Sequence, residues 1–208
     1  MLPLIISGRW DWWEAWIFAA ISIAGFAVSR FIAGKHNPGL LSERSRFLQH
    51  EDAASWDKVL SPLVGLGGGV IPLIAGLDEL FNWSPAFNTS VIITALICIL
   101  IGYVWGSYAL IANRYFSGMV RLQSERGHTV ISSGPYRWMR HPGYAGSILT
   151  YLAIPPFLDS SWAFIPAGLL VIVLIIRTYL EDKFLQEQLT GYQQYAQQVR
   201  YRLIPGIW

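Results

Sequence analysis

The chain has 208 residues, 53% of them apolar and only 13% charged, which is too little polar surface for a soluble domain of this size. A formal charge of +2 is no basic excess of the kind nucleic-acid binding requires, so no nucleic-acid partner is expected. The lone Cys98 excludes an intramolecular disulfide and any zinc site built from several cysteines, and no metal site is expected.

The expected fold is an all-α integral membrane protein with about five transmembrane helices. Residues 12–33 carry Glu14 and Arg30 only near their ends, where charged heads reach the interface, and form the first span. The stretch lacks the basic start and small-residue cleavage site of a signal peptide. The polar segment 34–57 opens on the turn signal Asn37-Pro38-Gly39 and continues as a charged, amphipathic stretch expected to ride on the membrane surface, with His36 and His50 solvated.

Uncharged runs at 59–77 and 87–112 supply the second and third spans. In the second, Gly65-Leu66-Gly67-Gly68-Gly69 neither keeps the GxGxxG spacing nor follows a strand, so close helix packing is its expected role. From 144 to 176 the only charge is Asp159, and the stretch is too long for one crossing. Pro155, Pro156, Asp159 and Ser160 break it into a helical hairpin whose first limb, 144 to about 158, is short for a full span.

Beyond 176, Leu185, Leu189, Tyr192, Ala196 and Val199 recur at three- and four-residue intervals, the mark of a C-terminal helix continuing past the membrane with one covering face. Of the 15 Lys and Arg, only Arg9 falls on one side of this topology. That bias predicts a multi-pass protein with its N-terminus outside and its C-terminus cytosolic. The chain reads as a single membrane domain, 1–208, with a three-span N-terminal bundle over 12–111 and a distinct C-terminal half over 112–208.

Polar chemistry gathers in two places. Because a hairpin returns both its ends to one membrane face, His141 and Glu181 are candidates for one site although 40 residues separate them. The loop from His128 to Gly146 holds two fixed turns, Gly134-Pro135 and His141-Pro142-Gly143, which would hold aromatic and polar side chains around a small cavity. Arg177 and Glu181 share a helical face at i and i+4, a spacing that also suits a plain intrahelical ion pair. Plainer roles stay open elsewhere too: a helix start for His141-Pro142, interfacial aromatics for Tyr136 and Tyr144, topology determinants for Arg137 and Arg140.

Gly134-Pro135-Tyr136, the run Arg140-His141-Pro142-Gly143-Tyr144-Ala145-Gly146, the acidic pair Glu181-Asp182, and the tail Tyr192, Tyr195, Val199 leading to Arg202-Leu203-Ile204-Pro205 follow one another in a specific order. In these motifs, over about the last 90 residues, the chain resembles the isoprenylcysteine carboxyl methyltransferase family with its RHPxYxG pattern, and more broadly the small membrane methyltransferases that include the phospholipid methyltransferases.

The resemblance implies that the C-terminal half is the catalytic, cofactor-binding part, with S-adenosyl-L-methionine as cofactor. It makes Gln123, His128, Tyr136, His141, Pro142, Tyr144 and Glu181 the cofactor contacts and Arg177 a contact that orients the substrate. The family's second Glu is Asp182 here, a shorter carboxylate. The implied substrate is lipophilic, an isoprenylcysteine-type carboxylate first and a phospholipid amine second, with membrane lipids as surroundings. Glu181 suits the cofactor's ammonium, His141 and tyrosine hydroxyls its polar groups, and aromatic faces its sulfonium. A carboxylate acceptor is already ionised near neutral pH, so no general base is assigned. Two other classes remain: an NADPH-dependent membrane reductase of the sterol-reductase type, and a non-enzymatic membrane scaffold or lipid-binding protein.

Overall fold

The computed structural model describes residues 1–46 and 49–208; residues 47 and 48 of the polar segment lie outside the described residues. The described residues form helices and no strand. In chain order they are α1 (Leu2–Ser7), α2 (Trp13–His36), α3 (Pro38–Ser45), α4 (Asp57–Gly67), α5 (Val70–Phe81), α6 (Thr89–Ala112), α7 (Pro142–Phe157), α8 (Phe164–Gln188) and α9 (Tyr192–Gln198). Four stretches are long and apolar enough to cross a membrane: α2, the consecutive pair α4 and α5, α6, and α8. Large apolar side chains such as Phe31, Leu66, Val104 and Leu169 stand exposed along them, as a lipid-facing surface requires. This is an integral membrane protein.

The fifth expected span, α7, has 16 residues. At 1.5 Å per residue it reaches roughly 24 Å, short of the ~30 Å hydrocarbon core. The hairpin turn also falls slightly later than the proline pair suggests. Pro155 and Pro156 lie inside the last turn of α7, and the reversal comes at Asp159, whose backbone is left-handed (φ 55°). Asp159 accepts a bond from the Phe87 amide at 2.5 Å. Beside it, buried Asp78 accepts from the Ser84 amide and from the hydroxyls of Ser84 and Ser160, tying this end of the bundle together.

The glycine run has two roles. A side chain at Gly67 would strike Leu170 of α8, so Gly67 serves helix packing. The chain then turns at Gly68–Gly69 between α4 and α5, and Gly65 and Gly68 line a cavity instead. The tightest packing lies elsewhere, between α6 and α7: a Cβ on Gly146 would sit 2.8 Å from the Gly102 carbonyl and 2.9 Å from the Gly106 nitrogen. There the two backbones nearly touch.

Two other expectations change. The segment after Asn37 enters the protein rather than riding on its surface: Leu40 and Glu43 of α3 are buried. His50 is half-buried, with Nε2 3.1 Å from Glu43 Oε1, whereas His36 is exposed. The C-terminal extension is not one helix. It ends at Gln188, turns at Gly191 in a left-handed conformation (φ 85°) and restarts as α9. The expected face survives the break, because Leu185, Leu189, Tyr192, Tyr195, Ala196 and Val199 pack together over Leu122 and Val130.

Replacing Gly146 with Ala forces two backbones apart, while Gly168 faces open space. We expect Gly146→Ala to lose about 1–3 kcal/mol of stability, the usual cost of overpacking, and Gly168→Ala to lose nothing comparable; thermal unfolding in detergent measures both.

Candidate active site

Two cavities meet inside the end of the bundle that carries the basic loops. The first, about 240 Å³, lies among the loop from Asn113 to His141, the start of α7, the end of α8, and α9. One water needs only ~10–15 Å³, so this space suits an organic ligand. The second, about 700 Å³, lies within the helical bundle between α2, α4, α6 and α7, lined by Phe18, Tyr103, Tyr151, Ile154 and several glycines. Arg44, Phe116, Gly143 and Ser147 border both.

The hairpin brings His141 and Glu181 together as expected. His141 stands immediately before α7, whose first residue is Pro142, and Glu181 lies on α8; Nδ1 and Oε1 are 3.9 Å apart. Tyr144, in the first turn of α7, stacks parallel to the His141 ring at 5.8 Å and donates its hydroxyl to Glu181 Oε2 at 2.5 Å. Glu181 Oε1 has no closer bond among the described residues and borders the cavity. Tyr136 donates to the Ala109 carbonyl at 3.4 Å and accepts from Asn113 at 3.3 Å.

Gln123 is 1% exposed, its side chain donating to the Tyr115 carbonyl at 2.8 Å and accepting from Arg126. His128 packs against the Tyr115 ring at 4.4 Å, and its Nδ1 accepts from the Gln123 amide at 3.3 Å. That bond fixes the neutral tautomer with the proton on Nε2. Of the seven expected cofactor residues, six line the first cavity. Pro142 does not; it starts α7, where a missing N–H costs nothing.

Arg177 lines the same cavity, but its Nε and Nη2 are closed onto Asp57 of α4 at 2.7 and 2.9 Å, and Nη2 also reaches the Gly118 carbonyl. Its guanidinium lies 5.3 Å over the Tyr144 ring. Among the described residues it makes no ion pair with Glu181, so the i, i+4 spacing here is not an intrahelical bridge. Asp57 gave no sequence signal beyond being an acid at the mouth of an apolar run.

Asp182 and Arg140, neither expected in the site, hold it closed. Arg140 Nε and Nη2 grip the fully buried Asp182 at 2.6 and 3.0 Å, while Nη1 reaches the Val199 and Arg200 carbonyls. Asp182 also accepts from Tyr192, Gln186 and Arg202 and lies 3.4 Å from His141 Nε2. The shorter carboxylate thus faces the C-terminal cover rather than the cavity. On the far wall, Arg121 makes the same two-pronged contact with Glu43 at 3.0 Å for both bonds. Burial alone would raise the Glu43 carboxyl, but bonds from Arg121 and Ser117 prevail and hold it below the usual range.

A family model for isoprenylcysteine carboxyl methyltransferases (ICMT) matches residues 88–187, which hold α6, the loop, α7 and nearly all of α8. The chain is 30% identical over 107 residues to a probable protein-S-isoprenylcysteine O-methyltransferase of Oryza sativa subsp. indica, covering 50% of this chain and 56% of the relative. It is 24% identical over 110 residues to the protein-S-isoprenylcysteine O-methyltransferase of Saccharomyces cerevisiae, with 53% and 44% covered, and 27% identical over 112 residues to that of Tribolium castaneum, with 47% and 37% covered. The chain spans about half or less of the length of these curated relatives. The family resemblance carried by the RHPxYxG run therefore holds for the C-terminal half, and α1 to α5 lie outside the matched residues.

Two predictions follow from the geometry around Asp182 and His128. Asp182→Asn leaves the guanidinium of Arg140 without its charge partner, and breaking such a buried pair costs about 3–5 kcal/mol. Thermal unfolding should show the loss, and limited proteolysis should show the segment after Gln188 released first. Burial, then the cations Arg126 and Arg121, push His128 down to about 4 from its ordinary 6.5. The unfolded chain takes up this proton more readily, so the contribution of His128 to stability is full above pH 6.5 and declines as pH falls towards 4. Histidine ring NMR should find its midpoint near 4; a midpoint at 6.5 would contradict the buried, neutral ring.

Proposed function

We propose that the protein is an S-adenosyl-L-methionine-dependent methyltransferase that modifies a lipophilic acceptor, an isoprenylcysteine-type carboxylate, giving a methyl ester. The observation that carries this reading is the convergence of His141, Tyr144 and Glu181 on a cavity that borders an intramembrane one. The relatives' names supply the reaction class, and the basic loops suit a site facing the cytosol.

The first cavity's side chains fit the cofactor. Glu181 offers a carboxylate oxygen to an ammonium, Tyr115, Phe116, Tyr136 and Tyr144 offer aromatic surface to a sulfonium, and Gln123 and neutral His128 form a polar wall. When bound, S-adenosyl-L-methionine supplies a methyl group on a positively charged sulfur. The protein's task is alignment and the exclusion of water, since displacement at a methyl carbon gains most from a fixed, dry approach. Tyr144 holds Glu181 in place through its hydroxyl, and Arg177, itself held by Asp57, fixes the Tyr144 ring from the other side. No side chain needs to remove a proton from an ionised carboxylate acceptor. The intramembrane cavity receives the acceptor's hydrocarbon, so lipid and soluble reactants approach the shared border from different solvents.

Isothermal titration should show S-adenosyl-L-methionine binding, weakened about tenfold or more in Glu181→Gln and His141→Ala, the scale of losing a hydrogen bond to a charged group. Unchanged affinity in both variants would remove the site, and tight NADPH binding without the methyl donor would point to a reductase. With methyl-labelled donor and S-farnesyl-N-acetylcysteine, the product should release labelled methanol in base, as an ester does and a methylated amine does not.

A further inference from the structure

Every buried arginine whose partner is visible in this protein uses the same edge. Arg121, Arg140 and Arg177 each turn Nε and Nη2 onto the two oxygens of one carboxylate, on Glu43, Asp182 and Asp57 respectively. Arg44 on α3, half-buried, has no such acid among the described residues. Its Nη1 donates to the Phe116 and Ser117 carbonyls at 3.2 and 3.3 Å, which fixes the guanidinium, 5.3 Å over the Phe116 ring. Among the described residues, Nε and Nη2 meet no acceptor and no carboxylate lies within 4 Å. The nearby acids are committed: Glu43 to Arg121 and Asp57 to Arg177.

Arg44 stands where the two cavities meet. Arg30 lines the intramembrane cavity beside it, stacked 4.6 Å over Phe26, bonded only to Ser29 and likewise without a carboxylate among the described residues. Burial, then the charge of Arg30, lowers Arg44 to about 10, so it remains a cation at neutral pH. Behind this cationic mouth the cavity carries no acid among the described residues and is walled by Phe18, Phe26, Leu110, Ile154, uncharged hydroxyl side chains and glycines; a Cβ on Gly65 or Gly106 would meet nothing within 4 Å. Two cations at one end of a chamber that is otherwise uncharged have the charge pattern of a single-chain amphiphile with an anionic head. A planar guanidinium with one free edge matches a carboxylate best, because two parallel N–H···O bonds fill it.

We propose that Arg44, assisted by Arg30, is the acceptor-carboxylate subsite, contributed by the N-terminal half that lies outside the family match. This rests on the methyltransferase reading and assigns the head-group selectivity of that site. Methylation forms a bond between the methyl carbon and one carboxylate oxygen while the carbon–sulfur bond breaks and its electron pair stays on sulfur; no proton moves. The ester carries no charge for Arg44 to hold, so the subsite favours substrate over product.

The test uses the full chain in detergent and three tail-matched probes: S-farnesyl-N-acetylcysteine, its neutral carboxamide, and farnesyl monophosphate. The acid should bind about tenfold or more tighter than the carboxamide. Arg44→Gln should erase that preference and Arg30→Gln reduce it, while Arg30→Gln, which does not line the first cavity, keeps its affinity for S-adenosyl-L-methionine as a check on folding. Equal binding of acid and carboxamide, a preference kept in both variants, or tighter binding of the phosphate would each overturn the subsite. In the unsubstituted protein, equal binding of acid and carboxamide alongside intact cofactor binding would sink this subsite alone; absent cofactor binding with the acid preference present would sink the methyltransferase reading instead.

Discussion

The buried carboxylate of Asp182 organises the half of the protein that carries the proposed chemistry. An ionised carboxyl removed from water loses far more than one ion pair returns unless its lone pairs are met. Here they are met from four directions: Arg140 before α7, Tyr192 on α9, Arg202 in the tail and Gln186 one turn along α8. Each donor belongs to a different piece of chain, so satisfying one anion fixes all four pieces. Arg140 in turn caps the carbonyls at the end of α9. The cover over the first cavity is therefore held by charge at its root and by the Leu189, Tyr192 and Tyr195 cluster at its surface.

Two similar clamps join the halves of the chain. Arg177 on α8 reaches Asp57 on α4, and Arg121 in the loop reaches Glu43 on α3. Across a membrane-embedded bundle, where burial of apolar surface does little to hold helices together, such charged contacts and close backbone approach supply the specificity. The Gly102–Gly146 contact is the second kind, and it settles how near α6 and α7 lie. Because His141 immediately precedes α7, that spacing also sets where the imidazole stands relative to Gly143 and Ser147 at the border of the two cavities.

The sequence makes the spans legible because long uncharged runs have few alternatives to lipid, and it makes the meeting of His141 with Glu181 legible because a hairpin must return its ends to one side. Boundaries are less visible. The left-handed turns at Asp159 and Gly191 decide where helices stop, and neither is set by hydrophobic period alone. Clamps are hardest to see: Asp57 and Arg177 lie 120 residues apart, and a charge beside an apolar run reads equally well as a topology signal. Arg140 and Arg44 both suit that plainer role until their side chains are seen turned inward. The glycine run is half legible, since packing explains Gly67 while Gly65 and Gly68 make room instead.

Arg44 and Arg177 clarify one another through the bonds they lack and possess. A guanidinium already gripping Asp57 with its fork has spent the geometry that recognises a second carboxylate, and its remaining influence is on the Tyr144 ring below it. A guanidinium anchored by backbone carbonyls keeps that fork without a partner among the described residues while losing the freedom to swing away. Anchoring lowers the ordering cost of binding, and the absent acid raises the gain. On the proposed reading, residues that shape the cofactor's cavity lie mostly in the C-terminal half, while α2, α3 and α4 add walls to the lipid's chamber that α6 and α7 also line. A division of that kind lets acceptor choice change by substitution in the first 70 residues without disturbing the charged lattice around Asp182.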